Sequence, residues 1–226
     1  MGQPSHYTGA SGRQYHEVKR ALPEAAYPWV ARLRAAKFAH AVKPEHTVVE
    51  IGVGAGWNLA ALPAARKIGV DVAEFLGENL RARGIEFHES TKALSDGLAD
   101  VVICHHMLEH ALNPPEVLAE AHRLLKPGGR LLLNVPSESG RRTRQYHPDE
   151  PNHHLYAWTV QTLGNLLTDC GFRVELIGRE RFAYDRLAAI LALRLQLGER
   201  CYHLLRQAGL VLRPEYEIKT VAVPRP

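Results

Sequence analysis

The sequence predicts an α/β fold: a doubly wound, mainly parallel seven-stranded sheet with helices on both faces and a helical insertion near the C-terminus. Three observations predict it. Short apolar runs at 48–51, 68–70, 85–88, 100–104 and 130–136 alternate with stretches of helical period, the pattern of crossovers between buried parallel strands. Gly52, Gly54 and Gly56 follow the first run directly, so the chain turns sharply there. Two further runs, 172–177 and 217–223, flank a leucine-rich stretch at 182–212. The length suits a single domain: an N-terminal polar segment and helix (1–44), a core (45–181), the insertion (182–212) and a last strand (213–226).

In chain order, residues 1–20 are polar and rich in Gly and Ser, a segment held loosely or folded over a site as a lid. Trp29, Val30, Leu33, Ala36 and Val42 give a helical face over 28–42, ended by Pro44. Val48, Val49 and Ile51 make the first strand, and a helix-like segment is expected from Asn58, cut short by Pro63. The second strand closes on Asp71. Residues 73–83 read as a helix with Phe75, Leu76 and Leu80 inward and Gly84 as its stop. After the fourth strand, Asn113 caps a helix, Pro114 fits its first turn and Glu116 sits three after the cap. Val117, Leu118, Ala121, Leu124 and Leu125 share its face, and Lys126-Pro127-Gly128-Gly129 is a turn. A long polar connection, 137–156, precedes a helix capped by Thr159, with Val160, Leu163, Leu167 and Cys170 inward and Gly171 as its stop. Within 182–212, Leu187, Ile190, Leu191 and Leu195 suggest one helix, and Leu204, Leu205 and Ala208 a second; covering the substrate mouth, packing on the sheet and a dimer contact all stay open.

The chemistry starts at the glycine loop. A dinucleotide site wants a third glycine where Trp57 stands, and a carboxylate at Glu50 repels a pyrophosphate but suits a cation, which argues against a nicotinamide oxidoreductase. Asp71 lies nineteen positions after Gly52, where an acid at the end of strand two accepts ribose hydroxyls. E-x-G-x-G-x-G over 50–56 resembles motif I of the class I S-adenosylmethionine (SAM)-dependent methyltransferases. LEHALNPPEVLAEAHRLLKPGGRLLLNVP, 108–136, resembles the strand-four to strand-five half of the same class, and the resemblance covers about 47–177. It implies an antiparallel last strand, SAM as methyl donor and S-adenosylhomocysteine as product. It also implies that the Gly52-Val53-Gly54 backbone contacts the amino-acid part, with Gly56 completing the motif. Asp71 then holds the ribose, Val72 or Ser90 lies near adenine, and Glu50 lies near the cofactor, often through water. Cys104 and His105, at the end of strand four, fall on the same sheet edge.

Methyl transfer to a hydroxyl or amine calls for an acceptor held in line and a base for its proton, and histidine is the natural base near neutral pH. His106, His110 and His154 are the foremost candidates, with His105, His147 and His153 beside them, and Tyr156 and Asp149 to orient a substrate. A histidine matching His110 is also a common packing residue in the class. His106 and His110 would share a face if helical, with Glu109 adjacent. That resembles the E-x-x-E-H cluster of metal-dependent RNA-terminal 2′-O-methyltransferases, with His106 replacing the first Glu and His153 or His154 as the later ligand; no metal is assigned. Arg141, Arg142 and Arg144 steer an anionic substrate or simply lie in a solvated loop. Arg186, Arg194, Arg200 and Arg206 face anionic lipid, or the leucine-rich helices that carry them are core.

The 226 residues are 46% hydrophobic and 23% charged, with a net charge of +4 that is too weak to argue a nucleic-acid partner. Three scattered cysteines form no disulfide framework, which fits a reducing cytoplasm, and no apolar run is long enough for a membrane span. The expected function is SAM-dependent O- or N-methylation of a small-molecule acceptor, with a homodimer left open. The alternatives are a metal-assisted RNA or quinone-type O-methyltransferase and a non-catalytic SAM-binding partner protein.

Overall fold

The apolar runs pair into one sheet in the order β3-β2-β1-β4-β5-β7-β6 in the computed structural model, which describes residues 5–137, 145–146 and 152–225. The strands are β1 (Thr47–Ile51), β2 (Arg66–Val70), β3 (Glu86–His88), β4 (Ala99–His105), β5 (Leu125–Pro136), β6 (Phe172–Arg181) and β7 (Tyr216–Pro224). β1 to β5 are parallel, and β7 runs antiparallel between β5 and β6. His147, Asp149, Arg141, Arg142 and Arg144 lie outside the described residues.

The helices are α1 (Gly9–Arg13), α2 (Tyr27–Phe38), α3 (Gly77–Ala82), α4 (Pro114–Leu124), α5 (Val160–Asp169), α6 (Asp185–Arg194) and α7 (Glu199–Leu212). They cover both faces of the sheet. Leu118, Ala121 and Leu124 of α4 and Leu163 and Leu167 of α5 pack on Val49, Val102 and Leu133. On the other face, Ala35 and Phe38 of α2 and Leu80 of α3 pack on Val48, Ile103 and Leu132. A strand with apolar residues at successive positions is what such two-sided burial requires. Thr159 caps α5 through a reciprocal pair with Thr162, as its position predicts.

Four local expectations are corrected. No helix follows the glycine loop: residues 57–61 are consecutive turns. Ala60 N donates to Gly56 O (3.0 Å), but Leu62 N reaches only Leu59 O (3.1 Å), and Pro63 has no N–H to continue. The donors that a helix N-terminus would offer a ligand are therefore not assembled here. The Asn113 side chain does not cap α4; its amide donates to Glu116 Oε1 at 2.7 Å instead. The 126–129 turn is a bulge inside β5, because Leu125 still pairs with Ala99 before Arg130 pairs with Val101.

The fourth correction concerns α6. Leu187 and Leu191 point outward, 62% and 40% exposed, and Leu195 just past the helix is exposed too, while Ala188, Ala189 and Ala192 face inward against Ala26, Val30 and Tyr202, with Leu193 packed beside them. The small alanines let α6 come close to α2. Arg206, read beside the lipid-facing arginines, is buried on Asp185. The helices of the insertion thus pack on α2 through Ala188, Ala189, Ala192 and Tyr202. Among the described residues no helix is long and apolar enough to cross a membrane.

Candidate active site

A cavity of about 620 Å³ opens at the carboxyl ends of β1, β2 and β4, where the strand order reverses from β1 to β4. This is where an open parallel sheet leaves room for a ligand. Its floor is the glycine loop. Gly52 has φ +77°, and a Cβ there would sit 2.2 Å from Met107 Cγ, so no side chain fits. Gly52 N and Val53 N both donate to Val70 O, and Tyr27 Oη donates to Ala55 O (2.9 Å), which fixes the loop against the sheet.

Asp71, at the end of β2, accepts from Gly54 N (2.9 Å) and Ala73 N (3.0 Å). Both bonds fix its carboxylate at the cavity wall. Glu50 is fully buried, takes the Asn58 amide on Oε1, and has no partner for Oε2 among the described residues. Burial pushes its carboxyl up to about 8, against the pull of Asn58 and Arg34. Val53, Val72 and Ser90 line the same cavity. Two expected contacts fall away. The Cys104 side chain points into the core with Val49 and Leu133 and does not line the cavity. Gly56 sits behind the loop, where a Cβ would meet Leu80 and Ile85 at 2.7 and 2.8 Å; its role is close packing.

The opposite wall carries a buried ionic cluster. His105 and His106 leave β4, and Glu217 enters β7 beside them. His106 Nε2 bonds Glu217 Oε2 at 2.9 Å, and Lys37 of α2 forms an ion pair with Glu217 and donates to His105 Nε2 at 3.1 Å. Burial works against the Glu217 carboxylate, yet the two histidines and Lys37 hold it ionised, far below the ordinary range. Burial lowers the Lys37 ammonium while Glu217 draws it back up. Burial also brings His106 down to about 4 and His105 well below its ordinary value. A neutral His106 donating Nε2–H to Glu217 keeps its lone pair on Nδ1. His106 has φ +51°, a strained value for a residue with a side chain, and it turns the ring toward Glu217.

His110 also lines the cavity, but its ring is engaged with the N-terminal segment. Its Nδ1 meets Tyr7 Oη at 2.7 Å, and Tyr7 also donates to Asn152 O (2.8 Å), so His110 clasps the N-terminal segment to the 152–156 loop. Burial, then the neighbouring His154, brings His110 down to about 3. His154 stacks edge-on with His110 (4.8 Å) and does not line the cavity. Tyr156 donates to Leu112 O and likewise lies outside it. The stretch from His106 to His110 is not one helix; only Leu108–His110 makes a single turn. The expected His106–Glu109–His110 set is therefore split. His106 belongs with His105 and Glu217, and Glu109, His110 and His154 form a separate group with ligand atoms within 4.8 Å of one another.

Sequence reasoning missed several wall residues. Tyr7, Tyr15, His16 and Arg20 bring the N-terminal segment over the cavity, of the two readings the lid-like one. Arg34 lines it from α2, and Lys37 and Glu217 anchor its wall. The available signal was charge on otherwise buried elements: Arg34 and Lys37, three apart on α2, and Glu217 at the mouth of an apolar strand. An orphaned carboxylate oxygen on Glu50, a loop that admits no Cβ at Gly52 and a fixed acid at Asp71 together fit a cationic adenosyl ligand.

Comparison with known proteins agrees with this fit. The family model described as "Methyltransferase domain" matches residues 17–177. A Mycolicibacterium smegmatis protein named "Probable S-adenosylmethionine-dependent methyltransferase" is 31% identical over 135 residues, covering 57% of this chain and 52% of that protein. The ubiquinone biosynthesis O-methyltransferase of Methylococcus capsulatus is 35% identical over 113 residues, covering 45% and 48%. The chain spans about half the length of these two relatives. Among solved structures, a phosphoethanolamine N-methyltransferase of Haemonchus contortus superposes with a TM-score of 0.63 at 14% identity, covering 96% of this chain and 61% of that one, and so shares the fold. With its 3-2-1-4-5-7-6 sheet, its glycine-floored cavity and a family match over most of its length, the chain belongs to the class I SAM-dependent methyltransferases.

Proposed function

We propose that the protein methylates a small-molecule acceptor at oxygen or nitrogen, with SAM as donor. The observation that carries this is the two-sided cavity: a glycine-and-carboxylate floor on one side and a neutral imidazole on a buried carboxylate on the other. SAM supplies a methyl group on a sulfonium, so the leaving group needs no help from the protein. The chain's own part is to bind and orient. Glu50, the Gly52-Val53-Gly54 backbone, Asp71, Val72 and Ser90 hold the donor. His106 Nδ1 takes the proton that an acceptor hydroxyl or amine sheds, and Glu217 stabilises the imidazolium that results. Lys37 keeps Glu217 ionised, and Tyr7 with His110 holds the N-terminal segment over the cavity to exclude water. The named activities of the M. capsulatus and H. contortus proteins, one at oxygen and one at nitrogen, support a small acceptor of either type.

The test is transfer of labelled methyl from SAM to a panel of small phenols, carboxylic acids and amines, with bulk tRNA alongside. Labelled small molecules are expected, and His106→Ala should slow transfer about 10²- to 10⁴-fold. SAM binding with label appearing only in tRNA would overturn the small-molecule reading. A second reading, metal-assisted methylation, is favoured by the Glu109–His110–His154 group, whose imidazole-rich donors suit a transition metal. Dialysis against a chelator separates the two, since only the metal-assisted reading loses activity and regains it with added metal.

A further inference from the structure

We propose that Arg34 forms an oxyanion-binding subsite in the acceptor half of the cavity, so that the acceptor carries a carboxylate or phosphate group. The inference rests on the methyl-transfer reading of the same cavity and names the substrate class.

Charge counting comes first. Asp185 is buried and accepts from two guanidinium groups, Arg34 Nε at 3.0 Å and Arg206 Nε at 2.6 Å. One carboxylate thus serves two arginines, whereas Lys37 has Glu217 and, at 3.9 Å, Glu180. Arg206 alone would satisfy Asp185 and does not line the cavity, whereas Arg34 does. Arg34 is thus the guanidinium with a shared counter-ion that faces the cavity.

Geometry comes second. The Arg34 guanidinium lies 5.0 Å from the Trp57 ring centre and 5.1 Å from that of Phe182, which fixes its plane. Its Nη1 approaches His105 Nδ1 at 3.5 Å. That contact is at the outer limit of a hydrogen bond, and His105 Nε2 lies between Lys37 Nζ (3.1 Å) and Glu217 Oε2 (3.6 Å). Among the described residues nothing accepts from Nη2. Nη2 of this fork is thus without an acceptor, Nη1 has only the long contact with His105, and the residue lines the cavity. A guanidinium held this way is suited to bind an oxygen of a carboxylate or phosphate.

The experiment uses matched pairs: benzoate and benzamide, salicylate and salicylamide, phenylacetate and phenylacetamide, with phenyl phosphate against phenol. Each is titrated by ligand-observed NMR into the full chain saturated with S-adenosylhomocysteine, in phosphate-free buffer. At least one acid should bind about tenfold or more tightly than its neutral partner. The carboxylate and phosphate arms tell which oxyanion is preferred. Arg34→Gln should abolish that preference and Arg34→Lys should keep part of it, while both still bind S-adenosylhomocysteine. No preference in the wild type, or a preference that survives Arg34→Gln, overturns the proposal. If Arg34→Gln fails to fold, phenylglyoxal labelling of the wild type decides: the acid but not the amide should protect Arg34, and equal labelling overturns the subsite. A wild type that does not bind S-adenosylhomocysteine would sink the methyl-transfer reading, while the acid–amide comparison still judges Arg34.

Discussion

At the scale of single residues, the account turns on how burial sets protonation. His106 is brought to about 4 by burial, so it stays neutral through the physiological range. The acid limb of kcat/KM should therefore fall near pH 4; a limb near 6.5 would mean that His106 is not the base. The stability signs follow from the same shifts. His106 and His110 have folded values below the ordinary 6.5, so their contribution is complete above 6.5 and is lost as pH falls toward 4 and 3. Glu50 works the other way: its folded value of about 8 lies above the ordinary 4.5, so stability is lost as pH rises through 8. Glu50→Gln should stabilise the ligand-free protein at pH 8.5 by on the order of 3 kcal/mol and have little effect at pH 5, read by calorimetric melting. Asp71 and Glu50 were legible because the glycine spacing marks strand ends. Lys37, Arg34 and Glu217 were not, because Lys37 meets Glu217 and Arg34 meets Asp185 only across the fold, 180 and 151 residues apart in the chain.

Among the elements, the strands could be read almost to the residue, since burial on both faces leaves an unbroken apolar signature. α6 could not. Leu187, Leu191 and Leu195 dominate its sequence pattern yet are exposed, while Ala188, Ala189 and Ala192 make the buried side with Leu193, and only the partner helix reveals which side is inward. Ala192→Leu should cost about 1–3 kcal/mol by overpacking against α2, while Leu187→Ser should stay within about 0.5 kcal/mol, measured by denaturant unfolding. Comparable costs for both would contradict the inside-out assignment of this helix. The helix expected after Asn58 was also misread, because Pro63 stops it before a second turn can form. Thr159 shows the opposite case: a cap residue three before a threonine is a local signal, and the structure uses it.

For the molecule as a whole, two halves with different logic meet at one cavity. The floor is backbone and carboxylate from β1 and β2, and the far wall is a buried ionic cluster drawn from α2, β4, β7 and the insertion. The first half was visible as a motif; the second exists only once the chain is folded. Ligand binding should stabilise this assembly: SAM at about 100 times its Kd adds about 2.7 kcal/mol, or roughly 5–10 °C in Tm for a chain of this size. Calorimetric titration with SAM, S-adenosylhomocysteine and NAD, on the wild type and on Asp71→Ala, tests the central claim most directly. The account predicts micromolar binding of SAM and S-adenosylhomocysteine, loss of most of that affinity in Asp71→Ala, and no heat with NAD. NAD binding without SAM binding would contradict the reading of the glycine floor and of every site residue built on it.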